Sequence, residues 1–260
     1  MDRLFRSAFV PVLAGGLLIL SGSGISAAKE PRPLPANIAA AAADPARGSD
    51  LTQDARRHGP EILAYAGVKK GAVVIDLIPG GGYWTRLFAK AVGPNGQVHG
   101  IWPKPYADED KRSAEIYATF AGSPAFPNVT SSIEPADQIT APARADLVFT
   151  AQNYHDYPDK FMGPVDPAAF NKAVFAALKP GGVFLVIDHA AAAGSGMRDT
   201  DTLHRIDPAI VKQQVLAAGF RFVGESKLLA NPADDHSKLV FDKAIRGHTD
   251  QFIYKFRRPR

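Results

Sequence analysis

Seven short apolar runs, separated by segments of helix length, constrain this chain more than any other feature. They are AVVIDL (72–77), GQVHGIW (96–102), NVTSSI (128–133), ADLVFT (145–150), VFLVIDH (183–189), FRFVGES (220–226) and QFIYKF (251–256). Brief β-branched runs of this kind are the signature of strands covered on both faces. Between them, residues 83–92 read as a helix stopped by Gly93-Pro94, and 107–122 as a charged amphipathic helix. Residues 166–178 read as a third helix, and Asp207-Pro208 opens a fourth that Gly219 closes. KPGG (179–182) reads as a turn into the fifth run. Such alternation predicts an α/β fold, doubly wound around a mostly parallel seven-stranded sheet. No helix separates the last two runs, which are therefore expected to pair antiparallel.

The chain ends are read from composition. Residues 1–28 carry Arg3 and Arg6, an apolar run from Ala8 to Leu20 and small residues up to Ala28, the pattern of an export signal. That run falls short of the ~20 residues a bilayer span requires. An exported, periplasmic protein with no membrane anchor after cleavage is the expectation. Residues 29–48 are rich in Pro and Ala and poor in large apolar groups, so they read as a linker, leaving 49–260 as the folded domain. The chain has no cysteine, which excludes disulfides, thiolate metal sites and a cysteine nucleophile. The net charge is +4, and outside the tail KFRRPR the basic residues are scattered, so no stripe for nucleic acid is present.

DLIPGGGYWTRLFA (76–89) joins the first strand to a helix through three glycines. Glycines let a ligand approach the backbone, and the helix start offers free N–H groups. Counted from Gly80, the dinucleotide spacing G-x-G-x-x-G fails at Thr85. The segment instead resembles the first motif of class I S-adenosylmethionine (SAM) dependent methyltransferases. It is closest to bacterial predicted methyltransferases whose motif is similar to WPGGGWYT. RHGPEILAYAGVKKG (57–71), ADLVFTAQNYHDY (145–157) and ALKPGGVFLVIDH (177–189) extend the resemblance over most of 49–257. It implies a Rossmann-like methyltransferase fold, SAM as cofactor and a small-molecule methyl acceptor. Asp76 matches the acid that ends the first strand, and Gly80 and Gly82 match the later two glycines, with Gly81 between them. Ile78 stands where the first glycine is expected. Tyr83 and Thr85 begin the helix, and Asn153 follows the fourth strand. Where the family ends its second strand with an acid that accepts from the ribose hydroxyls, this chain has Trp102, which could stack on a base or cover a sugar. Glu134 lies near the expected adenine position.

Ligands in such sheets bind beyond the carboxyl ends of the strands. TAQNYHDY (150–157), DHAA (188–191) and LHRIDP (203–208) converge there, bringing His155, Asp156, His189 and His204. Methyl transfer is an in-line displacement in which positioning does much of the work, and histidine suits removal of a proton near neutral pH. His155 reads as the base or acceptor-orienting group, Asp156 or Tyr154 as its support and His189 as a pocket residue. Two other readings stay open. One is an exported binding or accessory protein that keeps the fold without catalysis. The other is a metal-dependent enzyme using the same edge, although no His-Glu-x-x-His or similar spacing assigns a metal ligand.

Overall fold

The structure is a computed structural model that describes residues 33–163 and 165–260. The expected export segment, 1–28, lies outside them. The helices are α1 (Ala36–Ala42), α2 (Asp54–Arg57), α3 (Gly59–Ala66), α4 (Tyr83–Val92), α5 (Lys104–Glu109), α6 (Lys111–Phe120), α7 (Pro167–Ala177), α8 (Thr200–Leu203) and α9 (Pro208–Ala217). The strands are β1 (Val73–Leu77), β2 (Gln97–Pro103), β3 (Val129–Glu134), β4 (Ala145–Ala151), β5 (Leu178–His189), β6 (Arg221–Ser226) and β7 (Gln251–Arg257). They form one sheet in the order β3-β2-β1-β4-β5-β7-β6. β1 to β5 pair in parallel, whereas β7 runs antiparallel to both β5 and β6. This is the α/β arrangement, with its terminal antiparallel pair, that the alternation predicts.

Successive strand residues serve opposite faces, which explains the continuous apolar runs. Val74, Val98, Phe149 and Leu185 pack with Leu87 and Phe88 of α4 on one face. Ile75, Val148, Phe184 and Val186 pack with Val174 of α7 and Val211 of α9 on the other. β5 starts at Leu178, so KPGG belongs to the strand, with a register shift against β4 between Ala145 and Leu147.

The linker expected at 29–48 is corrected for its described part. α1 buries Ile38 and Ala41 in the core beside α3 and α4, and Asn37 Nδ2 donates to the carbonyl of Ala91 at 3.0 Å. Arg47 is buried, donating to the carbonyl of Ala42 and to both carboxylate oxygens of Asp54. Alanines supply little apolar area, which is why composition misleads, but they let the helix approach closely. Burying Ile38 alone contributes about 1.5–3 kcal/mol. The compact unit begins at Leu34.

Candidate functional site

The turn after β1 carries unusual backbone. Ile78 sits at φ 52°, in the left-handed region where a β-branched residue is an outlier, and Gly80 and Gly82 follow at φ 54° and 84°. The position therefore keeps the conformation of the absent glycine. Ile78 is held by its N–H donating to the Ile101 carbonyl at 2.9 Å, and its own carbonyl accepts from Asn153 Nδ2 at 3.1 Å. Beneath the turn, Thr85 Oγ1 donates to Asp76 Oδ2 at 2.6 Å, both side chains buried. Burial pushes the Asp76 carboxyl up to about 7, against the opposing effect of the Thr85 hydroxyl.

The glycines differ in what they face. A Cβ at Gly80 or Gly81 would meet nothing within 4 Å, whereas one at Gly82 would lie 2.4 Å from the Phe120 ring. The carbonyl of Gly81 accepts from Arg86 Nη1 and that of Pro79 from the Gly82 N–H, leaving Gly80 as the unengaged carbonyl of the turn among the described residues. No side chain caps the start of α4. The turn thus offers one acceptor and a set of backbone donors, the chemistry that an amino acid's ammonium and carboxylate require.

Other expected cofactor residues are placed differently. Trp102 turns into the core, packed against Tyr106 and Tyr117 with ring centroids 6.2 Å away, and its Nε1 has no partner. Tyr83 donates through its hydroxyl to Asp54 Oδ1 at 2.6 Å and so braces the N-terminal segment. Glu134 is engaged by the N–H of Thr140 at 2.8 Å and by the hydroxyls of Thr140 and Ser132. Asn153 links the turn to β4, donating also to the Ala151 carbonyl.

The polar edge is a connected network. A 3-10 turn after β4 (Tyr154–Asp156) brings His155 to the end of β5, where Asp188 is fully buried. His155 Nδ1 lies 2.8 Å from Asp188 Oδ1, and the His155 N–H donates to Asp188 Oδ2 at 2.9 Å. On the opposite side of the ring, His155 Nε2 is 3.2 Å from Asp156 Oδ1 and 3.3 Å from His204 Nδ1. His204 occupies a left-handed position, φ 52°, after α8. His189 Nδ1 is 2.7 Å from the Thr249 hydroxyl.

Burial opposes a charged imidazole at His155, but Asp188 and Asp156 outweigh it and raise the ring well above the ordinary histidine range. Asp156 is correspondingly lowered, its own desolvation being overcome by His155. His189 goes the other way: burial lowers it to about 4, with Asp188 resisting. The two carboxylates thus favour the charged form of the His155 ring, and burial favours the neutral form of His189.

His155, Asp156, His189 and His204 line a cavity of about 410 Å³ that also includes Tyr106, Glu109, Gln152, Val240 and Phe241. Asp188, Thr249 and Tyr106 escape sequence reasoning. An acid ending the longest buried strand is a signal that could have found Asp188; nothing local marks the other two. The segment carrying Val240 and Phe241 is pinned from inside by Arg205 and Asp234, buried and 2.9 Å apart.

The sheet order, with helices on both faces and the antiparallel pair at its end, is that of the Rossmann-like methyltransferase fold. No protein-family model matches the sequence, and no curated protein matches it. Solved structures do match. A SAM dependent methyltransferase from Aquifex aeolicus aligns with TM-score 0.53 and 18% identity over 83% of this chain and 98% of that one. A putative sarcosine dimethylglycine methyltransferase from Galdieria sulphuraria gives 0.57 and 13% over 83% and 91%. The [4+2]-cyclase SpnF gives 0.56 and 15% over 82% and 85%. At these identities the likeness establishes the fold.

Proposed function

We propose that this protein is a SAM-dependent methyltransferase acting on a small molecule, exported to the bacterial periplasm by residues 1–28. One observation carries the enzymatic reading. Asn153 bonds the carbonyl of Ile78 in the glycine turn, and His155 and Asp156, two and three residues on, line the cavity. Cofactor turn and polar cavity are thereby neighbours on one edge of the sheet.

The turn fits the methionine portion of SAM: Gly80 offers its carbonyl, the start of α4 its N–H groups, and Gly80 and Gly81 leave room for contact. The end of β2 supplies no carboxylate for the ribose. Glu109, exposed on the cavity wall, and Asp110 beside it, whose Oδ1 accepts from the Ser113 N–H, are the acids available on that side. Bound SAM supplies a methyl group activated by its sulfonium. The chain's part is to hold the acceptor in line and take its proton. His189, which burial keeps neutral, lines the cavity with its Nδ1 2.7 Å from the Thr249 hydroxyl and is the imidazole available to take that proton. Tyr106 and Phe241 supply apolar walls that exclude water around an acceptor.

Calorimetry on the full chain tests the reading. Binding of SAM and S-adenosylhomocysteine is expected, and no heat with either at millimolar concentration would remove the proposal. The inward-facing Trp102 favours a second reading, a binding protein on the same fold. A His189→Gln variant that binds SAM as the parent does but forms no S-adenosylhomocysteine from any acceptor the parent methylates would exclude it.

A further inference from the structure

We infer that His155, Asp156 and His204 form a site for one divalent transition-metal ion. The inference goes beyond methyl transfer and does not depend on it. The three ligand atoms are His155 Nε2, Asp156 Oδ1 and His204 Nδ1, at mutual separations of 3.2, 3.3 and 3.8 Å. A point equidistant from atoms so placed lies about 2.0 Å from each, within the ~2.0–2.2 Å range of bonds from histidine nitrogen and carboxylate oxygen to such ions. An ion there sits close to the plane of its three ligands, with further coordination positions open to the 410 Å³ cavity. Two imidazoles and one carboxylate with open positions suit Fe(II), Mn(II), Co(II) or Zn(II), and suit Mg(II) and Ca(II) poorly.

A second observation concerns the support behind the ligands. His155 Nδ1 faces the buried Asp188 carboxylate at 2.8 Å, which fixes the tautomer that presents Nε2 to the ion. His204 is held at a left-handed backbone position that a glycine or asparagine would occupy at less cost, and this places its Nδ1 toward Asp156. Asp156 and Asp188 place two carboxylates in a buried space, where a divalent ion on Asp156 finds opposite charge on both sides of the His155 ring. No sequence spacing announces the site because its ligands come from two separate loops. The open positions fit an acceptor bearing a hydroxyl or carboxylate oxygen.

Cobalt titration of the full chain, purified without a histidine tag, tests the inference by visible absorption and by metal analysis after dialysis. One Co(II) per chain is expected, with its absorption bands. His204→Ala, whose side chain is 30% exposed and so removable without emptying the core, is expected to lower Co(II) affinity at least tenfold. His236→Ala, in the separate pair with Asp250, should leave it unchanged. No stoichiometric binding at millimolar Co(II), or equal affinity in parent and His204→Ala, would overturn the site. SAM binding without cobalt binding would sink this inference alone, and the reverse result would sink the methyltransferase reading alone.

Discussion

The Asp188 carboxylate meets three donors at once: His155 Nδ1 at 2.8 Å, the His155 N–H at 2.9 Å and the His189 N–H at 2.7 Å. One fully buried group therefore holds the His155 ring after β4 and the backbone of His189 at the end of β5. An amide can accept through only one of its two heavy atoms, so Asp188→Asn turns an NH2 group toward a donor in a space without water. Breaking a buried charged pair from one side costs about 3–5 kcal/mol. Urea unfolding at pH 7 should place Asp188→Asn about 3 kcal/mol below the parent. A loss under about 0.5 kcal/mol would mean that the network does not hold the site together.

Asp76 gives the protein a pH dependence opposite to that of an ordinary surface carboxylate. Its folded value of about 7 is raised above the unfolded 3.8. The folded state therefore keeps a proton that the unfolded chain releases. The contribution is fully present below pH 3.8 and is lost as pH rises toward 7. Asp76→Asn removes this titration while its amide oxygen can still accept from Thr85. The stability of the variant minus that of the parent should rise between pH 4 and 7 and level off above. A flat difference across that window, measured by chemical denaturation, would show that Asp76 is ionised in the fold.

How far the sequence reaches depends on whether a signal is local. The strands were legible because both faces of β1, β4 and β5 are buried, so Val74 and Ile75, or Leu185 and Val186, are apolar together. The antiparallel end followed from the missing helix between β6 and β7. The Ala run reads as a short helix, but the burial of α1 is not legible because it depends on what α4 offers opposite Ile38, which no window of the N-terminal segment contains. The site was legible as a set of residues converging on one sheet edge, but not as a division of roles. Whether His155 or His189 is charged is decided by Asp188 and Asp156 on one ring and by burial on the other, and these are distances.

Ile78 offers a test of the turn itself. In ordinary strands and helices a glycine variant is less stable than an alanine variant by about 0.5–1 kcal/mol, because the unfolded chain gains freedom. At φ 52° the alanine instead retains a left-handed penalty of about 1–2 kcal/mol that glycine escapes. Both substitutions discard the buried side chain, which is 4% exposed, so both should fall below the parent by about 2–5 kcal/mol. Between the two, Ile78→Gly should be equal to or more stable than Ile78→Ala, reversing the usual order. The usual order in equilibrium unfolding would mean that residue 78 does not adopt the left-handed conformation.

Gly81 separates contact with the cofactor from the integrity of the fold. Its neighbours on the turn cannot do this: Gly80 has positive φ, and a side chain at Gly82 would strike Phe120. At Gly81 the backbone is not left-handed, and a Cβ would meet no atom within 4 Å, so Gly81→Val has room in the free protein. Its stability should stay within about 1 kcal/mol of the parent, since surface substitutions rarely do more and replacing glycine also restricts the unfolded chain. If SAM lies against this backbone, two added methyl groups stand where the ligand must approach. Calorimetry should then show affinity for SAM and S-adenosylhomocysteine reduced at least tenfold, roughly 1.4 kcal/mol or more. Unchanged affinity in a variant that unfolds like the parent would move the cofactor off the turn. The resemblance of DLIPGGGYWT to a SAM loop would then reflect inherited shape without retained binding.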